Sequence, residues 1–114
     1  MPEILVLYYS RNGSVQQMAK LIARGIEMVP GVAARLRTVP PVSSNIGETA
    51  AAIPDKGSPY VEVDDLRDCI GLALGSPTRF GNMAAPMKYF IDQLGGVWHE
   101  GALVGKPATV FTSS

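Results

Sequence analysis

The chain has 114 residues, 46% of them of hydrophobic types, which is the size and apolar content of one small globular domain. Ten basic residues balance ten acidic ones, and this formal charge of zero excludes a general attraction to nucleic acid or to an anionic membrane. The only cysteine, Cys69, lies in an apolar run, so an intrachain disulfide is excluded and we expect a core position in a reducing compartment. With neither a signal-peptide pattern nor a long apolar stretch, the sequence predicts a cytoplasmic protein without membrane insertion.

The first half of the chain predicts a strand followed at once by a helix. Residues 4–9 are a continuous apolar run, which is typical of a parallel strand covered on both faces. Apolar residues then recur at helical spacing from Val15 to Ile26, and Pro30 and Gly31 end the helix. Residues 32–39 predict a second, weaker strand. The stretch from Pro40 to Asp64 lacks periodicity, so we expect a surface insertion there.

The second half predicts two more strands. A short helix is expected around Leu66 and a third strand at residues 69–74. Asn82 is placed to cap a helix that has Pro86 in its first turn and ends at Gly95 and Gly96. A loop with Trp98 and His99 then leads to a fourth strand at residues 107–111. This alternation predicts an α/β fold in which helices cover both faces of a parallel sheet.

The turn after the first strand is a candidate phosphate site. Ligands of such sheets bind beyond the carboxyl ends of the strands, which here are followed by polar residues. The amide groups of the turn converge at the start of a helix, where the helix dipole favours an anion. The alternative is an ordinary turn at Asn12 and Gly13 with Ser14 as helix cap. The residues concerned are Ser10, Arg11, Asn12, Gly13, Ser14 and Val15.

The loop after the third strand is a candidate site for a flat ring. It combines a rigid proline, a flexible glycine, a cation, an aromatic residue and hydrogen-bonding groups, and Arg79 offers positive charge. The alternative is an ordinary connection with a solvated arginine and a core phenylalanine. Trp98 fits either a buried anchor or a ligand contact. The loop residues are Pro77, Thr78, Arg79, Phe80, Gly81 and Asn82.

Other chemistries lack their motifs in this chain. Neither a Walker A sequence nor a G-x-G-x-x-G sequence occurs, so the hydrolysis of nucleoside triphosphates is disfavoured. No spacing of His, Cys, Asp or Glu resembles a metal site, and no pairing of His with Cys or Glu predicts a side-chain acid or base.

Five motifs resemble the WrbA family of flavodoxin-like, FMN-dependent NAD(P)H:quinone oxidoreductases. The first, V-L-Y-Y-S-x-x-G, covers residues 6–13 and is followed by M-A at residues 18–19. The loop P-T-R-F-G-N-M covers residues 77–83, and together with the later Trp98 it is specific to the family. D-Q-x-G-G-x-W and G-A-L-x-G-K follow at residues 92–98 and 101–106. The resemblance thus extends over nearly the whole chain.

The resemblance implies a cofactor, substrates and an assembly. It implies FMN, with residues 10–15 around the phosphate and Thr78, Arg79 and Phe80 around the isoalloxazine ring. It also implies two-electron reduction of quinones by NAD(P)H in ping-pong order, with hydride transfer through flavin N5, and a homotetramer. Trp98 would form a wall of the substrate site. The chain departs from the family at Asn12, where an aromatic residue associated with nicotinamide binding is common.

The resemblance further implies a flavodoxin-like three-layer sandwich with strand order 2-1-3-4-5. Only four strands are found, so we expect residues 1–114 to be the N-terminal part of an FMN-binding domain that lacks its fifth strand and flanking helices. The third FMN loop of the family begins near Ser113 and Ser114. Two other functions stay open: a one-electron carrier of the flavodoxin type, which the formal charge of zero disfavours, and an interaction module without catalysis.

Overall fold

A computed structural model of the chain describes residues 2–10, 13–40, 58–79 and 82–113. Its main sheet has four parallel strands, and numbered along the chain they lie side by side in the order second, first, third and fourth. These are β1 (Glu3–Tyr8), β2 (Ala33–Thr38), β3 (Gly71–Gly75) and β6 (Ala108–Phe111). The predicted α/β fold is confirmed, and the order of its four strands is that of the first four strands in the predicted topology.

Helices cover both faces of this sheet. They are α1 (Ser14–Glu27), α2 (Val63–Asp68), α3 (Ala85–Asp92) and α4 (Gly95–Glu100). On one face, Val6 and Tyr8 of β1 pack with Val15 and Ala19 of α1. The opposite face carries a larger cluster, which consists of Leu5, Leu7, Val39, Leu66, Cys69, Met87 and Leu94. Because β1 contributes side chains to both clusters, its apolar run is continuous rather than alternating. Cys69 is a core residue, as predicted.

An ion-pair group fastens α2 to the sheet. The Asp65 carboxylate is buried, lies 2.9 Å from Arg35 Nη1 and 3.4 Å from Arg37 Nε, and accepts a hydrogen bond from the N–H of Glu62. Arg35 also pairs with Glu3 on the neighbouring strand. Hydrogen bonds from Arg35 to Glu3 and to Asp65 raise the pKa of its guanidinium, so this group is charged at neutral pH.

Three predicted elements differ from the structure. The stretch between β3 and α3 contains a small hairpin, in which β4 (Thr78–Arg79) pairs antiparallel with β5 (Asn82–Met83). Asn82 therefore lies in a strand and does not cap α3, whose N-cap is Ala84. Trp98 and His99 lie in α4 rather than in a loop, and Gly95 begins this helix rather than ending the one before. Such short elements are set by tertiary contacts that override local propensity.

None of the helices in these ranges is long and apolar enough to cross a membrane.

Candidate functional site

The carboxyl ends of β1 and β3 lie side by side, at the point where the strand order reverses. The N–H of Tyr9 donates to the carbonyl oxygen of Gly75 over 3.0 Å, so the two loops that follow these strands leave the sheet together. In open α/β sheets this is the position at which ligands bind. The first loop leads into α1 and the second into the β4–β5 hairpin.

The first loop ends at the N-terminus of α1, and a helix N-terminus is a position that favours an anion. Gly13 is the N-cap and has a φ of 91°, which favours glycine. Apart from the chain neighbours of Gly13, no described residue has a heavy atom within 4 Å of the position that a Cβ would take there. The N–H of Gly13 donates to Ser10 Oγ at 3.0 Å. Ser10 Oγ accepts this bond, and none of the described residues accepts the proton of its hydroxyl, so this proton can be donated to a ligand.

The first turn of α1 is open as well. It contains no acidic residue, and no side chain of the described residues caps it. The N–H groups of residues 14–16 therefore point out of the helix with the positive end of its dipole behind them. The capping role considered for Ser14 is not found, since Ser14 is the first helical residue. Val15 is 1% exposed, so only its backbone can meet a ligand. Arg11 and Asn12 lie outside the described residues.

Hydroxyl groups organise the second loop. Ser76 Oγ accepts the N–H of Ala84 at 2.9 Å and lies 3.0 Å from the carbonyl oxygen of Pro77, so this side chain ties the two ends of the hairpin together. Thr112, directly after β6, donates to the carbonyl oxygen of Ser76 at 2.7 Å. The Thr112 hydroxyl also lies 3.2 Å from that of Thr78. Thr112 was not among the predicted site residues; the only signal for it was the run of hydroxyl residues from Thr112 to Ser114.

A cavity of about 440 Å³ opens beside this loop. Its volume lies in the range of ligand sites in proteins, about 300 to 1,000 Å³. Of the predicted residues it brings together Pro77, Thr78 and Asn82. Phe80, Gly81 and Ser114 lie outside the described residues, as does the side chain of Arg79, whose backbone pairs with Asn82. Ser113 follows Thr112 and is partly exposed. The remaining walls come from the ends of β3 and β6, from Ser76 in the loop, from Met83 of β5 and from α3, and they include Gly75, Met87, Ile91, Val110, Phe111 and Thr112.

Contacts with α2 hold the segment that carries Trp98. Arg67 of α2 pairs with Glu100 at the end of α4 over 2.6 Å. Lys106 Nζ donates to the carbonyl oxygens of Leu66 and Arg67 at 2.8 and 2.7 Å, and so caps the C-terminus of α2. The backbone of Trp98 therefore has a defined place in α4, while its side chain lies outside the described residues.

No group of three or more His, Cys, Asp or Glu residues in the described ranges could hold a metal ion.

A curated protein is similar to this chain over nearly the whole length of the chain. No protein-family model matches the chain. The chain is 44% identical over 116 aligned positions, which cover 97% of its length, to a protein of Geobacter sulfurreducens named NAD(P)H dehydrogenase (quinone). It spans only 57% of the length of that relative.

Solved structures share the fold at low sequence identity. A flavodoxin, WrbA-like protein from Agrobacterium tumefaciens superposes with a TM-score of 0.69 at 23% identity, over 98% of this chain and 59% of that one. A flavoprotein from Lactobacillus acidophilus, solved in complex with FMN, superposes with a TM-score of 0.56 at 20% identity, over 98% of this chain and 93% of that one. The fold is flavodoxin-like, and the predicted resemblance to NAD(P)H:quinone oxidoreductases is confirmed by the similarity to the Geobacter sulfurreducens protein.

Proposed function

We propose that the protein containing this chain is an FMN-dependent oxidoreductase that reduces quinones with NAD(P)H. The observation that carries the proposal is the 44% identity, over 97% of the chain, to a protein named NAD(P)H dehydrogenase (quinone). The geometry at the carboxyl edge of the sheet supports it independently. An anion site at α1 and a cavity at the β3 and β6 ends lie on the same edge, as a molecule with a phosphate at one end and a ring at the other requires.

The residues of the first loop fit a phosphate group. Gly13 leaves open space where another residue would place its Cβ, and the Ser10 hydroxyl has a proton to donate. No described acidic side chain lies in the first turn of α1 to repel the phosphate. We therefore assign the phosphate to the groups that face the turn, with Val15 contributing only its N–H. The assigned residues are Ser10, Arg11, Asn12, Gly13, Ser14 and Val15.

The residues of the second loop and of the β6 end fit the rest of the cofactor. When bound, the flavin supplies the two-electron chemistry between the nicotinamide and the quinone, so the protein needs no side-chain nucleophile. We assign Ser113 and Ser114 to the cofactor as well, because they follow Thr112 directly in the chain. Trp98 and Asn12 are assigned to the substrate side, and Arg79 to stabilising negative charge on the reduced ring. The residues assigned to the ring are Pro77, Thr78, Arg79, Phe80, Gly81 and Asn82.

We also propose the wider context of this domain. Residues 1–114 would form the N-terminal part of the flavodoxin-like domain, with a fifth strand paired to the outer edge of β6. Among the described residues no strand pairs with the outer side of β6, and the unpaired N–H and C=O groups of this edge are available to a further strand, which supports the proposal. The resemblance to the WrbA family further suggests a homotetramer, and the single buried cysteine is compatible with the cytoplasm.

Steady-state kinetics of the full-length protein test the proposed function. With FMN bound, initial rates at varied NADH or NADPH and several fixed benzoquinone concentrations should give parallel lines in double-reciprocal plots. A carrier of the flavodoxin type would bind FMN but give no steady turnover of the two substrates. Failure to bind FMN, or intersecting lines, would contradict the proposal.

A matched variant tests the phosphate assignment in the same protein. Ser10→Ala removes one hydrogen bond to a charged group, so its affinity for FMN should fall by about 10- to 100-fold. Its affinity for riboflavin, which has no phosphate, should stay within about twofold of the unsubstituted protein. Equal losses for the two ligands would place Ser10 away from the phosphate.

A further inference from the structure

Three oxygen atoms meet where β6 ends against the second loop. Thr112 Oγ1 lies 2.7 Å from the carbonyl oxygen of Ser76 and 3.2 Å from Thr78 Oγ1. The backbone holds this arrangement in place, since the N–H of Ser76 donates to the carbonyl oxygen of Phe111. The three groups therefore form a short chain of hydrogen bonds from a backbone carbonyl to a threonine side chain.

The direction of every bond in this chain follows from counting protons. A hydroxyl group has one proton to donate, and a carbonyl oxygen can only accept. Thr112 must therefore give its proton to Ser76, and the proton between the two threonines must come from Thr78. The Thr78 hydroxyl is then left with acceptor capacity alone.

Both threonines line the cavity of about 440 Å³ at the carboxyl edge. Resting on the proposed function, we infer that Thr112 is a positioning residue that turns the Thr78 hydroxyl into an acceptor for a hydrogen-bond donor of the bound flavin. A flavin offers two such donors, the ring N3–H and the hydroxyls of its ribityl chain. An acceptor at Thr78 selects for either of them and against a ligand that presents a carbonyl oxygen there.

The first part of the test is a thermodynamic cycle on the full-length protein, read as the dissociation constant of FMN. Thr112→Val keeps the shape of the side chain but removes both hydrogen bonds of Thr112, and it should weaken the binding of FMN about threefold to tenfold. Thr112→Ser keeps the hydroxyl and should stay within about twofold. Because Thr112 acts through Thr78, Thr112→Val should have no further effect on a Thr78→Val background.

The second part identifies the donor by changing the ligand. The unsubstituted protein should bind one of two analogues about threefold to tenfold more weakly than FMN. One analogue is 3-methyl-FMN, which lacks the ring N–H, and the other is an FMN that lacks a ribityl hydroxyl. The analogue that is discriminated against names the donor, and Thr112→Val should abolish the discrimination. If Thr112 had a merely structural role, Thr112→Val would instead weaken the binding of FMN and of both analogues by the same factor.

The inference and the proposed function can fail separately. If FMN binds but Thr112→Val is as harmful on the Thr78→Val background as alone, the inference is wrong and the proposed function stands. The same holds if the unsubstituted protein binds both analogues as tightly as FMN, or if Thr112→Ser binds FMN as weakly as Thr112→Val. If the unsubstituted protein does not bind FMN, the proposed function and the inference that rests on it are both overturned. Circular dichroism and melting temperature verify that each variant is folded.

Discussion

The two edges of the sheet differ in how the chain covers them. At the β2 edge, residues 58–61 return alongside the strand: the N–H of Thr38 donates to the carbonyl oxygen of Pro59, and the N–H of Val61 donates to that of Thr38. In the same segment, Ser58 is buried and its hydroxyl is hydrogen-bonded to the hydroxyl of Tyr8. The polar backbone of this edge is therefore partly satisfied within the chain.

The β6 edge is open in comparison. Among the described residues no strand pairs with its outer side, and three of its four residues are exposed. An apolar cavity of about 330 Å³ lies beside it, with Leu72, Leu103, Val104 and Ala108 in its walls. The comparison indicates that the β2 side depends on buried charges and backbone bridges, while the β6 side depends on a few close side-chain contacts. The predictions below test this difference by the free energy of unfolding in urea of the full-length protein.

The largest effect is expected at the β2 side, from Asp65→Ala. The substitution leaves Arg35 and Arg37, which are only 21% and 27% exposed in their side chains, without their shared carboxylate, so the free energy of unfolding should fall by about 3 kcal/mol. Asp68→Ala is the matched control, because Asp68 is 63% exposed and 3.8 Å from Arg35, and should cost less than about 0.5 kcal/mol. Equal losses in the two variants would contradict the role given to Asp65.

The next effect is expected at the β6 side, from Gly75→Ala. A Cβ on Gly75 would overlap the ring of Phe111, so the ring must move and the free energy of unfolding should fall by about 2 kcal/mol. On a Phe111→Ala background the clash is absent, and Gly75→Ala should be neutral or stabilising, because glycine weakens a strand. If Gly75→Ala lowers the free energy of unfolding equally on both backgrounds, the contact between Gly75 and the Phe111 ring does not hold β6 in place.

How far the sequence predicted this molecule depends on the length of each element. The elements β1, α1, β2 and β6 have periodic or continuous apolar patterns over four or more residues, and the structure confirms them within two residues at each end. The meeting of the two loops at the ends of β1 and β3 also follows from topology alone. The assignments of individual residues to phosphate, ring and substrate stay predictions.

What the sequence did not predict depends on contacts between distant residues. Strands of two residues, as in the β4–β5 hairpin, are too short to leave a pattern. The helix α4 begins with two glycines, which usually end helices, and it is tied to α2 by the pair of Arg67 and Glu100, 33 positions apart. The hydroxyl of Thr112 meets Ser76 across 36 positions. Local propensity contains no information on such pairs.

A smaller effect is expected from Lys106→Met, which keeps the apolar stem and removes the charge. Lys106 Nζ donates to two carbonyl oxygens at the negative end of α2, so the loss should be about 1 kcal/mol. Lys88→Met is the control: Lys88 is 63% exposed, pairs with Asp92 within one helix, and should cost about 0.3 kcal/mol. Equal costs would mean that Lys106 does not cap α2.

The smallest effect is expected from Glu3→Gln, and it should depend on pH. The hydrogen bond from Arg35 holds the pKa of the Glu3 carboxyl below its ordinary value of 4.5. A lowered pKa means that the carboxylate stabilises the fold fully above the pKa of the unfolded chain, and that this contribution is lost as the pH falls through the folded pKa. The unsubstituted protein should therefore be more stable than Glu3→Gln at pH 7, and the difference should shrink as the pH falls through the lowered pKa of Glu3. Urea unfolding between pH 7 and pH 3 measures this difference. On an Arg35→Met background the same substitution should lose its pH dependence, because the hydrogen bond that lowers the pKa is gone. A difference that persists unchanged at pH 3, or one that survives the loss of Arg35, would show that Glu3 acts through something other than this pair.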